Sequence, residues 1–110
     1  MRRVTPDEFR AAGHALIDWI ADERLAVRER RVLPDVQPGD VRAMLPTSPP
    51  TSTDTIDALL ADLARVVVPG MTAVQHPRHF GWFPSNASLA SVLGDLASSG
   101  LGGLGISWES

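Results

Sequence analysis

Apolar residues first recur at helical spacing between Phe9 and Ile20. Phe9, Ala12, Leu16, Trp19 and Ile20 share one face, while Arg10, Asp18 and Glu23 project elsewhere. The chain just ahead carries a start signal: Thr5 is placed to cap, Pro6 suits the first helical position, and Glu8, three residues after Thr5, completes a capping box. Asp7 and Glu8 also sit at the positive end of the helix dipole. The pattern predicts an amphipathic helix of about five or six turns that ends before Pro34.

A second run, Ile56, Leu59, Leu60, Leu63, Val66 and Val67, repeats at steps of three and four until Pro69 and Gly70 stop it, with Ser52, Thr53 or Asp54 available as its cap. Burying these side chains would contribute on the order of 10 kcal/mol before conformational entropy is subtracted, so this helix needs a partner face. A third run, Leu89, Val92, Leu93 and Leu96, follows a cap at Ser85 or Asn86 and runs out in SSGLGGLG. Between the first two runs, Pro38 and Gly39 open a short helical turn through Met44. Pro46, Pro49 and Pro50 then impose extended chain. The stretch from Pro34 to Thr53 reads as a strap over a neighbouring surface in preference to a domain linker. Residues 76–84, HPRHFGWFP, are broken by Pro77 and Pro84, and the alternation of Phe80, Gly81 and Trp82 suits a short extended segment.

Composition narrows the class. At 110 residues, 44% hydrophobic and 21% charged, the chain is globular and has room for one small domain, or part of one, with a modest core. A net charge of -3 leaves no basic stripe for nucleic acid. The absence of cysteine removes disulfide and thiolate chemistry. The opening MRRVTPDEFR has no apolar h-region, and no run approaches the roughly 18 apolar residues of a membrane span, so a cytoplasmic protein without a membrane partner is expected. All ten basic residues are arginine, so no lysine Schiff base can form on this chain.

Several constellations invite chemistry. Gly100 to Gly105 matches G-x-G-x-x-G, but it follows a helix instead of a strand and reads as a glycine turn. His76 and His79 lack further ligands, since His14 lies on another element; no metal site is expected, and a histidine hydrogen-bonded within a turn is the stronger reading. Ser85 stands in F-P-S-N and not in the G-x-S-x-G elbow of a hydrolase. Asp95 is expected on the solvent face of the last helix. Phe80, Trp82 and Phe83, pinned by prolines with Ser85 at their edge, form either a preset pocket wall or the plug of a small core.

The segment HPRHFGWFPSNASLASVLGDLASSGLGGLGISWES closely resembles the N-terminal region of the group II pyridoxal-phosphate decarboxylases, which include aromatic-L-amino-acid and histidine decarboxylases. DTIDALLADLARVVVPGMT, RRVLPDVQPGDVRAMLP and TPDEFRAAGHALIDWIADE resemble the same family in the same order. The resemblance implies an all-α N-terminal segment of a fold type I enzyme, with three to four helices joined by proline-rich connections. Residues 1–85 would be a helical, dimer-clasping part, and residues 86–110 the beginning, cut short, of the segment leading into the cofactor domain. It further implies a homodimer whose full-length form uses pyridoxal 5'-phosphate to decarboxylate an aromatic L-amino acid, while this chain alone binds no cofactor covalently and is inactive.

Carried over by position, Trp82, Phe83, Pro84 and Ser85 match the family's aromatic-aromatic-Pro-Thr segment at the substrate, with Ser85 where a threonine contacts it. Leu104 and Ile106 match apolar positions that line the pocket of the other subunit. His76 matches a recurrent histidine with no catalytic role, and no catalytic residue is expected on this chain. Trp82 replaces a more usual tyrosine, and Ile106 a larger phenylalanine of the animal aromatic enzymes. The phosphate-binding serine, ring-stacking histidine, pyridinium-pairing aspartate and Schiff-base lysine of the family would lie beyond Ser110. The competing expectations are a free-standing helical module that binds another protein through its apolar faces, and an aminotransferase-like relative on the same fold.

Overall fold

The computed structural model describes residues 3–52, 54–83, 87–103 and 105–108. Thr5 starts the first helix, α1 (Pro6–Ala26), as its spacing predicts. The Thr5 hydroxyl accepts from the Glu8 N–H at 3.3 Å, and the Glu8 carboxylate accepts from the Thr5 N–H at 2.9 Å. The helix tightens into a 3-10 turn, Val27–Glu29, where an ion pair between Glu23 and Arg30 spans its end. Ala12, Leu16, Trp19 and Ile20 are half-buried, but Phe9, expected on the same face, is exposed.

The proline-rich stretch from Pro34 contains a single helical turn, α2 (Asp40–Ala43). Gly39 precedes it at φ 101°, a left-handed conformation that any Cβ would strain. The Asp40 carboxylate accepts from the Gln37 N–H at 2.7 Å and fixes the turn. Residues 45–52 then run exposed to α3 (Ile56–Asp62). The cap of α3 is Thr55, whose side chain accepts from the Ala58 N–H at 3.2 Å; of the expected cappers, Ser52 and Asp54 do not fill that role, and Thr53 lies outside the described residues. Thr55 adjoins Ile56, so its hydroxyl alone reaches back over the first turn.

After Asp62 the helix widens to a π-turn, Leu63–Val67, and closes in a 3-10 turn, Val68–Gly70. Pro69 has no N–H to continue the ladder, and the Val68 N–H instead reaches the Leu63 carbonyl. The widened turn points Val66 inward, the only buried apolar side chain among the described residues. It sits beside a hollow lined by Met44, Leu45, Pro46 and Arg65, while Gly70 packs against Val41 of α2. Leu59 and Val67, expected on the buried face, are exposed.

Residues 73–79 form consecutive turns and Gly81 and Trp82 bend, so the extended segment expected over 76–84 does not form among its described residues. The Ala73 carbonyl accepts from the His76 N–H and the His76 carbonyl from the His79 N–H, both at 2.9 Å. The last helix, α4 (Leu89–Leu101), is capped by Ser88, whose side chain accepts from the Ser91 N–H. The expected cappers Ser85 and Asn86 lie outside the described residues. Gly102, at φ 61°, ends α4 in the left-handed conformation. The described residues contain helices and turns and no strand, which agrees with the all-α expectation.

The fold is open. Its radius of gyration is 17.1 Å, whereas a closed domain of this length has about 13 Å. Its accessible surface is 9552 Å², whereas a folded monomer of this mass exposes about 5,900 Å². Leu89, Leu93 and Leu96 of α4 are all exposed, and that helix makes at most marginal contact with the others.

Candidate functional site

The aromatic segment emerges from the turn that His76 organises. His76 is the one buried polar side chain among the described residues. Its Nδ1 accepts from the Arg78 N–H at 2.9 Å, so the ring proton resides on Nε2, which donates to the Arg28 carbonyl at 3.2 Å. A second tie lies alongside, from the Ala73 N–H to the Val32 carbonyl at 2.8 Å. Together they fasten the 73–79 turns to the end of α1. The expectation of a histidine hydrogen-bonded within a turn is met.

Beyond this clasp the rings turn outward. Phe80 is 91% exposed, Trp82 72% and Phe83 103%. They plug no core among the described residues. Among the described residues, Trp82 alone of these rings has a ring partner, the His79 imidazole, at a centroid distance of 5.9 Å and an interplanar angle of 57°. Gly81 makes room for it, since a Cβ there would lie 3.0 Å from His79 Nε2. This pairing of His79 with Trp82 escaped the reading of the sequence, although H-F-G-W, with a ring three residues before Trp82 and a glycine between them, carried its signal.

Pro84, Ser85 and Leu104 lie outside the described residues. Ile106 is 84% exposed and follows α4, as does Trp108, an exposed ring that sequence reasoning did not single out. The helix rises about 20 Å between the aromatic segment and Ile106. Neither Phe83 nor Ile106 covers the other.

Gly102 stands at the carbonyl end of α4, the negative end of its dipole, which disfavours a phosphate and makes the glycine run a helix terminator. Asp95 is exposed, as expected. Among the described residues no group of three or more His, Asp or Glu side chains is placed to hold a metal, and no helix is long and apolar enough to cross a membrane. An open hollow between Arg28–Leu33 and His76–Arg78 is rich in arginine. Two of these guanidiniums are engaged, Arg30 with Glu23 and Arg31 with Asp35.

The conserved-domain model of the pyridoxal-dependent decarboxylases matches residues 38–110. The chain belongs to that family. It is 40% identical over 107 residues to the histidine decarboxylase of Homo sapiens, covering 97% of this chain and 16% of that relative. It is 39% identical over 107 residues to the tyrosine decarboxylase of Papaver somniferum, covering 97% of this chain and 21% of the relative. The crystal structure of Oryza sativa TDC with PLP and tryptamine superposes with a TM-score of 0.88 at 36% identity, over 99% of this chain and 23% of that one. The chain thus spans about a fifth of the length of the relatives it matches, in their N-terminal part.

The family's cofactor is an aldehyde phosphate held through a lysine, and this chain has none. The arginine-rich hollow offers positive charge but no amine to receive an aldehyde. The described residues therefore do not by themselves constitute a pyridoxal site.

Proposed function

We propose that this chain is the N-terminal part of a pyridoxal-phosphate-dependent carboxy-lyase that decarboxylates an aromatic L-amino acid, and that its share of the work is dimer contact and one wall of the substrate pocket. Trp82, Phe83, Pro84 and Ser85 form that wall. Leu104 and Ile106 line the pocket of a second copy. Residues 1–85 clasp the second copy, with the strap running over it, and residues 86–110 lead into the cofactor domain. A cytoplasmic location belongs to the same proposal and is checked by fractionating cells that make the complete protein.

The observation that carries the reading is the outward presentation of Phe80, Trp82 and Phe83 on a turn whose base is fixed by a buried hydrogen-bonded histidine. Three rings that face away from their own chain gain nothing for its stability. Uncovered aromatic surface is how small-molecule pockets are lined. The apolar face of α4 is similarly open, and the chain exposes about 3,600 Å² more than a closed monomer of its mass, surface that a second copy or the rest of the protein can cover.

The complete protein is tested by carbon dioxide release from L-tryptophan, L-tyrosine, L-phenylalanine and L-histidine, with aliphatic and acidic amino acids as controls. Turnover of aromatic amino acids is expected. Trp82→Ala should raise their KM about tenfold, since a buried ring is worth roughly 1–3 kcal/mol. Reaction with aliphatic or acidic amino acids alone overturns the aromatic assignment.

A further inference from the structure

We infer that His76 is a positioning residue that sets the substrate wall, acting on Trp82 through His79; this rests on the reading of Trp82 as part of the pocket. An unbroken series of contacts links the end of α1 to that ring. The Arg28 carbonyl accepts from His76 Nε2 across 48 residues of sequence. The same imidazole accepts the Arg78 N–H on Nδ1. The His76 carbonyl takes the His79 N–H at 2.9 Å, and the His79 ring lies against Trp82.

Each link has a reason to be rigid. His76 is 8% exposed, so its two hydrogen bonds compete little with water, and losing either leaves a polar group poorly solvated. Only one tautomer satisfies both partners, which fixes the ring's orientation. Gly81 lets the imidazole of His79 approach, because an added Cβ at 3.0 Å from Nε2 would force that ring to give way. Trp82 is otherwise 72% exposed, so nothing else within the described chain holds its indole as directly. Where an indole forms one side of a pocket, its angle decides which substrate ring fits beside it. His76 thus governs discrimination among substrate rings without touching substrate.

The test uses the complete protein and the ratio of kcat/KM for L-tryptophan to that for L-tyrosine, with KM and kcat measured separately. His76→Ala is expected to raise KM about five- to tenfold, the equivalent of a lost buried hydrogen bond. It should shift the substrate ratio and leave kcat within about twofold. His76→Gln, which keeps a donor for the Arg28 carbonyl, should restore most of the ratio. Gly81→Ala, at an exposed position, should shift the ratio with little change in melting temperature. A folded His76→Ala protein with an unchanged ratio overturns the inference, as does a glutamine variant no better than alanine. If His76→Ala does not fold, Gly81→Ala decides, and an unchanged ratio there has the same force. Trp82→Ala separates the two levels. No change in KM removes the pocket reading and this inference with it, whereas a raised KM with His76 and Gly81 variants silent removes the positioning role alone.

Discussion

At Gly70 a single missing methyl group decides how two segments meet. A Cβ there would fall 2.8 Å from Val41 Cγ2, too close for either side to remain in place. Gly70→Ala in the complete protein is therefore expected to lower stability by about 1–2 kcal/mol, as overpacking does. Adding Val41→Ala should recover most of that loss, and thermal or urea denaturation of the single and double variants checks it. If the double variant is no more stable than Gly70→Ala, the clash is not the cause. His76 makes a similar point with polar atoms: one side chain takes up a donor and an acceptor from two segments far apart in sequence. Such a residue can be suspected from its neighbours, but its distant partner cannot be named from them.

Helix starts show what the chain reveals locally and what it withholds. Thr5→Ala removes a cap with a reciprocal partner in Glu8 and should cost about 1 kcal/mol of stability, while Glu8→Gln, which keeps a capping-box acceptor, should cost less. Denaturant titration of both variants checks that order. This cap was legible because Thr5, Pro6 and Glu8 leave little choice of register. Ahead of α3, by contrast, Thr51, Ser52, Thr53, Asp54 and Thr55 all carry side-chain acceptors, and the register falls to Thr55 because Ile56 then opens the half-buried face. The periodic run correctly located α3 and its stop near Pro69, yet its period cannot report that Leu63–Val67 widens to bring Val66 inward. The extended segment expected from the alternating rings is not found over residues 76–83, because the His76 N–H bonds the Ala73 carbonyl and the His79 N–H the His76 carbonyl, which makes turns, and Gly81 and Trp82 bend. Of the candidate site, Trp82 and Phe83 were legible as aromatic surface. The tilted contact of His79 with Trp82 follows from the turn and shows only in the folded chain.

For the molecule as a whole, the balance of surface is decisive. A chain with a single buried apolar side chain among its described residues and exposed leucines along α4 has little to hold it as a monomer. Prepared alone, the 110-residue, 11.8 kDa chain should self-associate with rising concentration, and sedimentation at the monomer mass at about 100 μM would contradict the dimer-contact reading. With no lysine, it should also retain no borohydride-fixed pyridoxyl group on any side chain, which mass spectrometry checks. The clasp of His76 on Arg28 carries one more consequence. It closes a loop that contains the exposed residues 45–52, and the entropy of closing a loop grows only with the logarithm of its length. Ten residues added between Thr47 and Ser52 should weaken that closure by only about 0.2 kcal/mol. Lengthening the strap thus leaves the turn that presents Trp82 tethered, so a tag spliced in there disturbs the contact with the second copy and not that turn.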